Sequence, residues 1–142
     1  MDLNEYLPQQ PCICINFRRL VQKITDCYDR ALQPAGVSVN QYSLLVNLAR
    51  NEGCGTGELA QLVRLEKSTL VRTLQPLIRD KLIINKPEGN KRLNKLYLTS
   101  AGKKTLIKAL PLWTQAQAEI SGKMGKSSQE IIDIFSRFNS PD

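Results

Sequence analysis

Histidine is absent from this 142-residue chain. With it goes the commonest metal ligand and the commonest general acid–base group. The four cysteines, Cys12, Cys14, Cys27 and Cys54, do not replace it. Cys12-x-Cys14 is tighter than the usual spacing of a zinc half-site, and no second pair follows. A phosphate-binding glycine loop and an evident pair of facing carboxylates are also missing. These absences argue against an enzyme and give no reason to expect a cofactor or a metal. No apolar run approaches the roughly 20 residues of a membrane span. The start, MDLNEYLPQQPC, is acidic and polar where a signal peptide is basic and then apolar. The expectation is a cytoplasmic protein with no membrane partner. A disulfide framework is not expected in that compartment, so each thiol is either a small apolar group or a redox-active one. With no repeat, low-complexity tract or linker, residues 1–142 read as one domain, large enough to bury a core.

What is present in excess is positive charge in one place. The net charge is +7. Between Arg64 and Lys108 the chain carries twelve Lys or Arg against Glu66, Asp80 and Glu88, and the remainder is slightly acidic. Such a block inside a folded pattern is an electrostatic footprint for a polyanion.

Apolar periodicity predicts a mainly α protein. Ile13, Phe17, Leu20, Val21, Ile24, Tyr28, Ala31 and Leu32 form one helical stripe over about five turns. QPAG, from Gln33 to Gly36, ends it. A second helix starts near Asn40 as N-cap, turns Tyr42, Leu45, Leu48 and Ala49 inward, and stops in NEGCG, where Gly53 or Gly55 supplies a left-handed position. Thr56 caps a short third helix with Leu59, Leu62 and Val63. After the turn RLEKS, a fourth helix buries Leu70, Leu74, Leu77 and Ile78. Its other face carries Ser68, Arg72, Gln75 and Arg79, with Lys67 at its start. Pro76 is expected to kink this helix or distort its last turn. Leu82–Lys86 and Leu93–Thr99 are β-prone around the turn residues PEGN, giving a hairpin with Lys91 and Arg92 near its tip. Thr99 caps a fifth helix with Ile107, Leu110 and Trp113 inward and a kink at Pro111. Ser127 and Glu130 open a sixth as a capping box, with Ile131, Ile134, Phe135 and Phe138 on its apolar face.

Two packed helices followed by a basic hairpin describe a winged helix-turn-helix. A helix fits the major groove of DNA and its exposed side chains reach base edges. The hairpin reaches backbone or minor groove. The candidate DNA-binding residues are Thr56, Lys67, Ser68, Thr69, Arg72, Gln75, Arg79, Lys91 and Arg92. Ser68, Thr69, Arg72 and Gln75 suit base edges and phosphates. Lys67, Lys91 and Arg92 suit phosphate or minor groove.

The stretches RRLVQKITDCYDRALQPAGVSVNQYSLL, GELAQLVRLEKSTLVRTLQPLIRDKLI, GNKRLNKLYLTSAG and ALPLWTQAQAEI resemble the MarR family of transcriptional regulators, nearly end to end from Cys12 to Phe138. The resemblance implies a homodimer on a near-palindromic double-stranded operator. Residues 11–35 and 101–139 would be dimerisation helices and residues 38–99 the winged lobe. The family's recognition helix often opens Asp-Arg-Ser-Thr, and here reads Glu66-Lys67-Ser68-Thr69. Its wing commonly carries Asp-x-Arg, and here Asn90 stands for the aspartate before Lys91 and Arg92. That departure removes a salt-bridge partner and implies a looser wing.

Family members respond to small lipophilic or aromatic ligands, or to oxidants. Cys14 falls where the hydroperoxide-sensing members carry their cysteine, with Tyr28 fourteen residues later. Helix starts favour thiolate, the reactive form, and Arg18 lies one turn on. The sensors' second pair of tyrosines is replaced by Arg18 and Val39. The plainer reading makes Cys14 a small buried residue. The resemblance implies a repressor released by a ligand or an oxidant. The alternatives are a thiol peroxidase or peroxide sensor centred on Cys14, and an architectural protein binding nucleic acid without sequence preference.

Overall fold

A computed structural model describes residues 1–87 and 94–139. The elements run α1 (Ile13–Leu32), α2 (Val39–Arg50), α3 (Thr56–Val63), α4 (Lys67–Arg79), β1 (Ile83–Pro87), β2 (Asn94–Leu98), α5 (Ser100–Met124) and α6 (Ser128–Ser136). The bounds of α1 are those of the predicted stripe.

Capping explains most boundaries and corrects two expectations. α2 is capped two residues before Asn40: Ser38 is its N-cap and shares a capping box with Gln41. Gly55, not Thr56, is the N-cap of α3, and Thr56 is its first helical residue. Of the two glycines, Gly53 takes the left-handed position (φ 88°). Thr99 caps α5 by accepting from the Gly102 N–H at 2.9 Å. Ser127 and Glu130 form the capping box that opens α6. α4 and α5 both continue through their prolines, Pro76 and Pro111. Pro76 lies in the last turn of α4, where a missing N–H leaves only the Arg72 carbonyl without its usual donor.

The core belongs to the lobe from α2 to β2. Leu44, Leu45, Leu48, Leu59, Leu70, Leu77, Ile83 and Leu96 are sealed from solvent. Each such side chain contributes about 1.5–3 kcal/mol by burial. Tyr42 stacks on Trp113 with ring centroids 5.6 Å apart, fastening α5 to α2. Some inward assignments fail. Ala49, Leu62, Ile107 and Leu110 are exposed, whereas Leu44 and Ala60, which the stripe readings passed over, are buried.

β1 and β2 pair antiparallel, with Ile83 opposite Leu98 and Lys86 opposite Lys95. The α2–α3 loop leans on β2: Gly53 N–H donates to the Leu96 carbonyl at 2.8 Å, and Leu96 N–H to the Cys54 carbonyl at 3.0 Å. The base of the hairpin is locked to α5. The Thr99 hydroxyl donates to the Lys81 carbonyl at 2.6 Å, Thr99 N–H donates to the Leu82 carbonyl at 3.1 Å, and Gly102 lies so close that a β-carbon there would sit 2.0 Å from that same oxygen.

α1 and α5 pack together, and Tyr28 donates to the Gln117 side chain across them. Away from the lobe the apolar stripes find little cover. Only Leu32 of α1 is buried, and no residue of α6 is. No helix among the described residues is long and apolar enough to cross a membrane.

Candidate nucleic-acid interface

α3 and α4 meet in a turn that sets how α4 is presented. Arg64 closes α3 in the left-handed conformation (φ 55°), and Leu65 N–H returns to the Ala60 carbonyl at 3.0 Å. Leu65 and Glu66 then reverse the chain into α4. Glu66 is the N-cap but its side chain accepts nothing from the helix. The first-turn N–H groups of α4, on Lys67, Ser68 and Thr69, therefore project outward as donors. A helix start of this kind favours an anion.

α4 is strongly two-faced. Leu70, Leu74 and Leu77 are buried against the lobe, while Ser68, Arg72, Gln75 and Arg79 are exposed on the other side, with Lys67 and Thr69 exposed in the first turn. Six of the nine predicted DNA-binding residues are thus exposed on one helix, four of them along its outer face. Thr56 is half-buried at the first position of α3, a different element. Lys91 and Arg92 lie outside the described residues, as does Asn90.

The exposed cations are not equivalent. Arg79 Nε lies 3.1 Å from the Asp80 carboxylate, in an ion pair open to solvent on both sides. Sequence reasoning placed Arg79 on the face and missed this neighbour, although the adjacent letters Arg79-Asp80 carry the signal. Lys81, part of the basic block but not among the candidate contacts, turns the chain out of α4 in the left-handed region (φ 60°). On the hairpin, Lys86 Nζ stands 5.9 Å from the centre of the Tyr97 ring. A flexible cation is thereby laid across the hairpin onto β2 rather than swung free.

The thiols divide by exposure. Cys14, the second residue of α1, is exposed in the single chain, against the plainer expectation that it is buried. Cys12 is exposed, Cys27 half-buried and Cys54 buried. Fourteen residues of helix separate Cys14 from Tyr28 by about 21 Å, so that tyrosine does not reach this thiol within one chain. Burial pushes the Tyr28, Tyr42 and Cys54 ionisations up. Tyr42 adds to the effect at Tyr28, Arg50 opposes it at Tyr42, and Glu58 adds to it at Cys54. Among the described residues no cluster of His, Cys, Asp or Glu is arranged to hold a metal.

A MarR family model matches residues 35–92, the segment that contains the two-faced helix. A curated relative, the HTH-type transcriptional regulator BilQ of Clostridium symbiosum (strain WAL-14163), is 32% identical over 83 residues, and the match spans 58% of each protein. Among solved structures, the M. tuberculosis transcriptional regulator MosR in complex with DNA is 32% identical. That likeness covers 89% of this chain and 92% of MosR, with a TM-score of 0.78. The transcriptional repressor CouR, bound to a 23-mer DNA duplex, has the same fold at 19% identity, covering 99% and 97% of the two chains with a TM-score of 0.80.

Proposed function

The chain belongs to the MarR family of transcriptional regulators, and from that premise we propose that it binds double-stranded DNA sequence-specifically as a homodimeric repressor. One observation carries the reading: α4 buries its leucines on one side and offers Ser68, Arg72 and Gln75 together on the other, with Lys67 and Thr69 exposed in its first turn. In this reading α4 enters the major groove. Arg72 and Gln75 read base edges, and the amides and side chains of Lys67, Ser68 and Thr69 hold phosphates. Thr56 touches the backbone from the start of α3. Arg79 is a peripheral contact, because Asp80 already faces it. Lys91 and Arg92 contact phosphate or minor groove from the wing.

Residues 38–99 form the DNA-binding lobe, and residues 11–35 with 101–139 form the dimerisation arm. The exposed Ile13, Phe17 and Val21 of α1 and Ile132 and Phe135 of α6 support the second assignment, since a single chain leaves them in water. DNA and a second copy are thus the macromolecular partners, and a small lipophilic or aromatic compound is one class of releasing signal.

Oxidation of Cys14 is the other class, and the exposure of that thiol beside the start of α1 favours keeping it. Fluorescence anisotropy against the chain's own upstream DNA and a scrambled duplex tests both. The protein is titrated reduced, then with an organic hydroperoxide, then re-reduced. Preference for the upstream DNA by about 10³-fold supports a specific regulator. Loss on oxidation and recovery with thiol supports the redox signal, and indifference to oxidant removes it. Equal binding to both duplexes removes autoregulation, and equal binding across a genome-wide selection leaves the architectural reading. Steady turnover of peroxide with a thiol donor would instead favour a peroxidase.

A further inference from the structure

A groove of about 340 Å³ runs between α1 and α5, and the proposed function does not use it. Its floor is aliphatic, made by Ile24, Ile120 and Met124, and no aromatic ring lines it. Its rim is cationic, with Lys23 and Arg30 on the same flank of α1. The other rim charges are Lys123, 3.4 Å from Glu119, and Asp26, whose carboxylate accepts from the Gln22 amide at 3.1 Å and keeps its charge. Arg30 donates through Nε to the Asp26 carbonyl at 3.4 Å and through one Nη to the Cys27 thiol at 3.7 Å. No ion pair between a carboxylate and Arg30 or Lys23 occurs among the described residues.

An aliphatic floor under a rim of net positive charge, Lys23 and Arg30 against the single carboxylate of Asp26, is complementary to an amphiphilic anion. We propose that this groove binds an aliphatic carboxylate of medium chain length. The tail lies along Ile24, Ile120 and Met124, and the carboxylate lies on Arg30 and Lys23. A second copy is a poorer occupant. Val21, Thr25 and Tyr28 follow the other flank of α1 beside α6, on the side where Phe17 is exposed. Ile24, Ile120 and Met124 floor the grooves on both flanks, and Lys23, Cys27 and Arg30 recur at helical steps on the opposite flank, so the cationic rim turns away from Phe17 and Val21 of the apolar face assigned to the partner.

Cys27 lines the groove and reports on it. In a chain carrying Cys12→Ser and Cys14→Ser, alkylation of Cys27 by iodoacetamide is followed by mass spectrometry of its peptide. Decanoate at ten times its Kd slows that alkylation about tenfold, while decanol at equal concentration does not. In Arg30→Gln the ratio of rates with and without decanoate returns toward one, with helicity by circular dichroism unchanged. Equilibrium dialysis with labelled decanoate retains ligand on the parent chain and loses it on the variant. Absence of both protection and retention overturns the proposal. Equal protection by decanol overturns its anionic part. Protection that grows with protein concentration and needs no ligand means that a second copy fills the groove, and overturns it as well. None of these readouts depends on DNA, so they fail or succeed apart from the regulator reading.

Discussion

Among single residues, Arg72 and Arg79 make the sharpest comparison. Both are exposed arginines on one face of one helix, but Asp80 pairs with only one of them. Arg72→Ala is expected to narrow the gap between operator and scrambled DNA by about 1–3 kcal/mol, the worth of one good bidentate base contact. Arg79→Ala is expected to change it much less. Competition anisotropy at fixed salt checks both, and equal effects would refute the ranking. Lys91→Ala should weaken both duplexes alike and flatten the salt dependence by about one unit of slope. The polar face of α4 was legible because helical spacing alone separates it from the leucines. The Arg79–Asp80 pair was not weighed, because a periodicity argument asks which side a residue faces and not which neighbour it meets. The exposure of Cys14 escaped for a related reason: its stripe looks apolar, but nothing in a single chain covers it.

At the scale of elements, the α4–β1–α5 junction depends on two neighbouring carbonyls, those of Lys81 and Leu82, and Gly102 lies against the second. Helix propensity favours alanine over glycine by about 1 kcal/mol, so Gly102→Ala taken as a helical substitution should stabilise. Packing reverses the sign. The added β-carbon would lie 2.0 Å from the Leu82 carbonyl oxygen, and relieving the overlap must move backbone. Gly102→Ala is expected to lower the unfolding free energy by about 3 kcal/mol or more. Gly122→Ala, in the same helix with nothing within 4 Å of the new carbon, should raise it by up to about 1 kcal/mol. Urea unfolding of the pair separates the two effects, and stabilisation by both would remove the close approach. Elements with strong local signals were readable: the bounds of α1, the Thr99 cap and the Ser127–Glu130 box all follow from letters within one turn. The caps of α2 and α3 were placed late because Ser38 and Asn40, or Gly55 and Thr56, are equally good local candidates. The choice is settled by which residue takes extended backbone. The inward assignments of Ile107 and Leu110 failed because α5 crosses two environments, the lobe and the arm, and a single stripe describes neither.

For the whole molecule, two quantities follow. Phe17 and Val21 are 51% and 57% exposed in one chain, so Phe17→Asp with Val21→Asp is expected to halve the mass measured by sedimentation equilibrium while leaving helicity intact. A mass already that of one chain in the parent would refute the dimer. Stability should also fall at alkaline pH. Cys54, Tyr28 and Tyr42 hold their protons more tightly folded than unfolded. Their contribution is complete below the ordinary values of 9.0 for the thiol and 10.0 for the phenols and is lost as pH rises through the raised ones. Urea midpoints measured from pH 7 to pH 10.5 should decline above about pH 9, with the earliest part of the decline absent in Cys54→Ala. A flat profile would contradict the burial of these groups.

The clamp at Leu82 also has a mechanical consequence. Thr99 and Gly102 fix the first turn of α5 to the strand and turn that follow α4, leaving no soft joint between them. A helix of 25 residues is about 37 Å long, so a tilt of about 5° at one end sweeps the other by roughly 3 Å. In a two-copy assembly α5 is therefore a lever, and the distance between the two α4 helices becomes a property of how the arms are crossed.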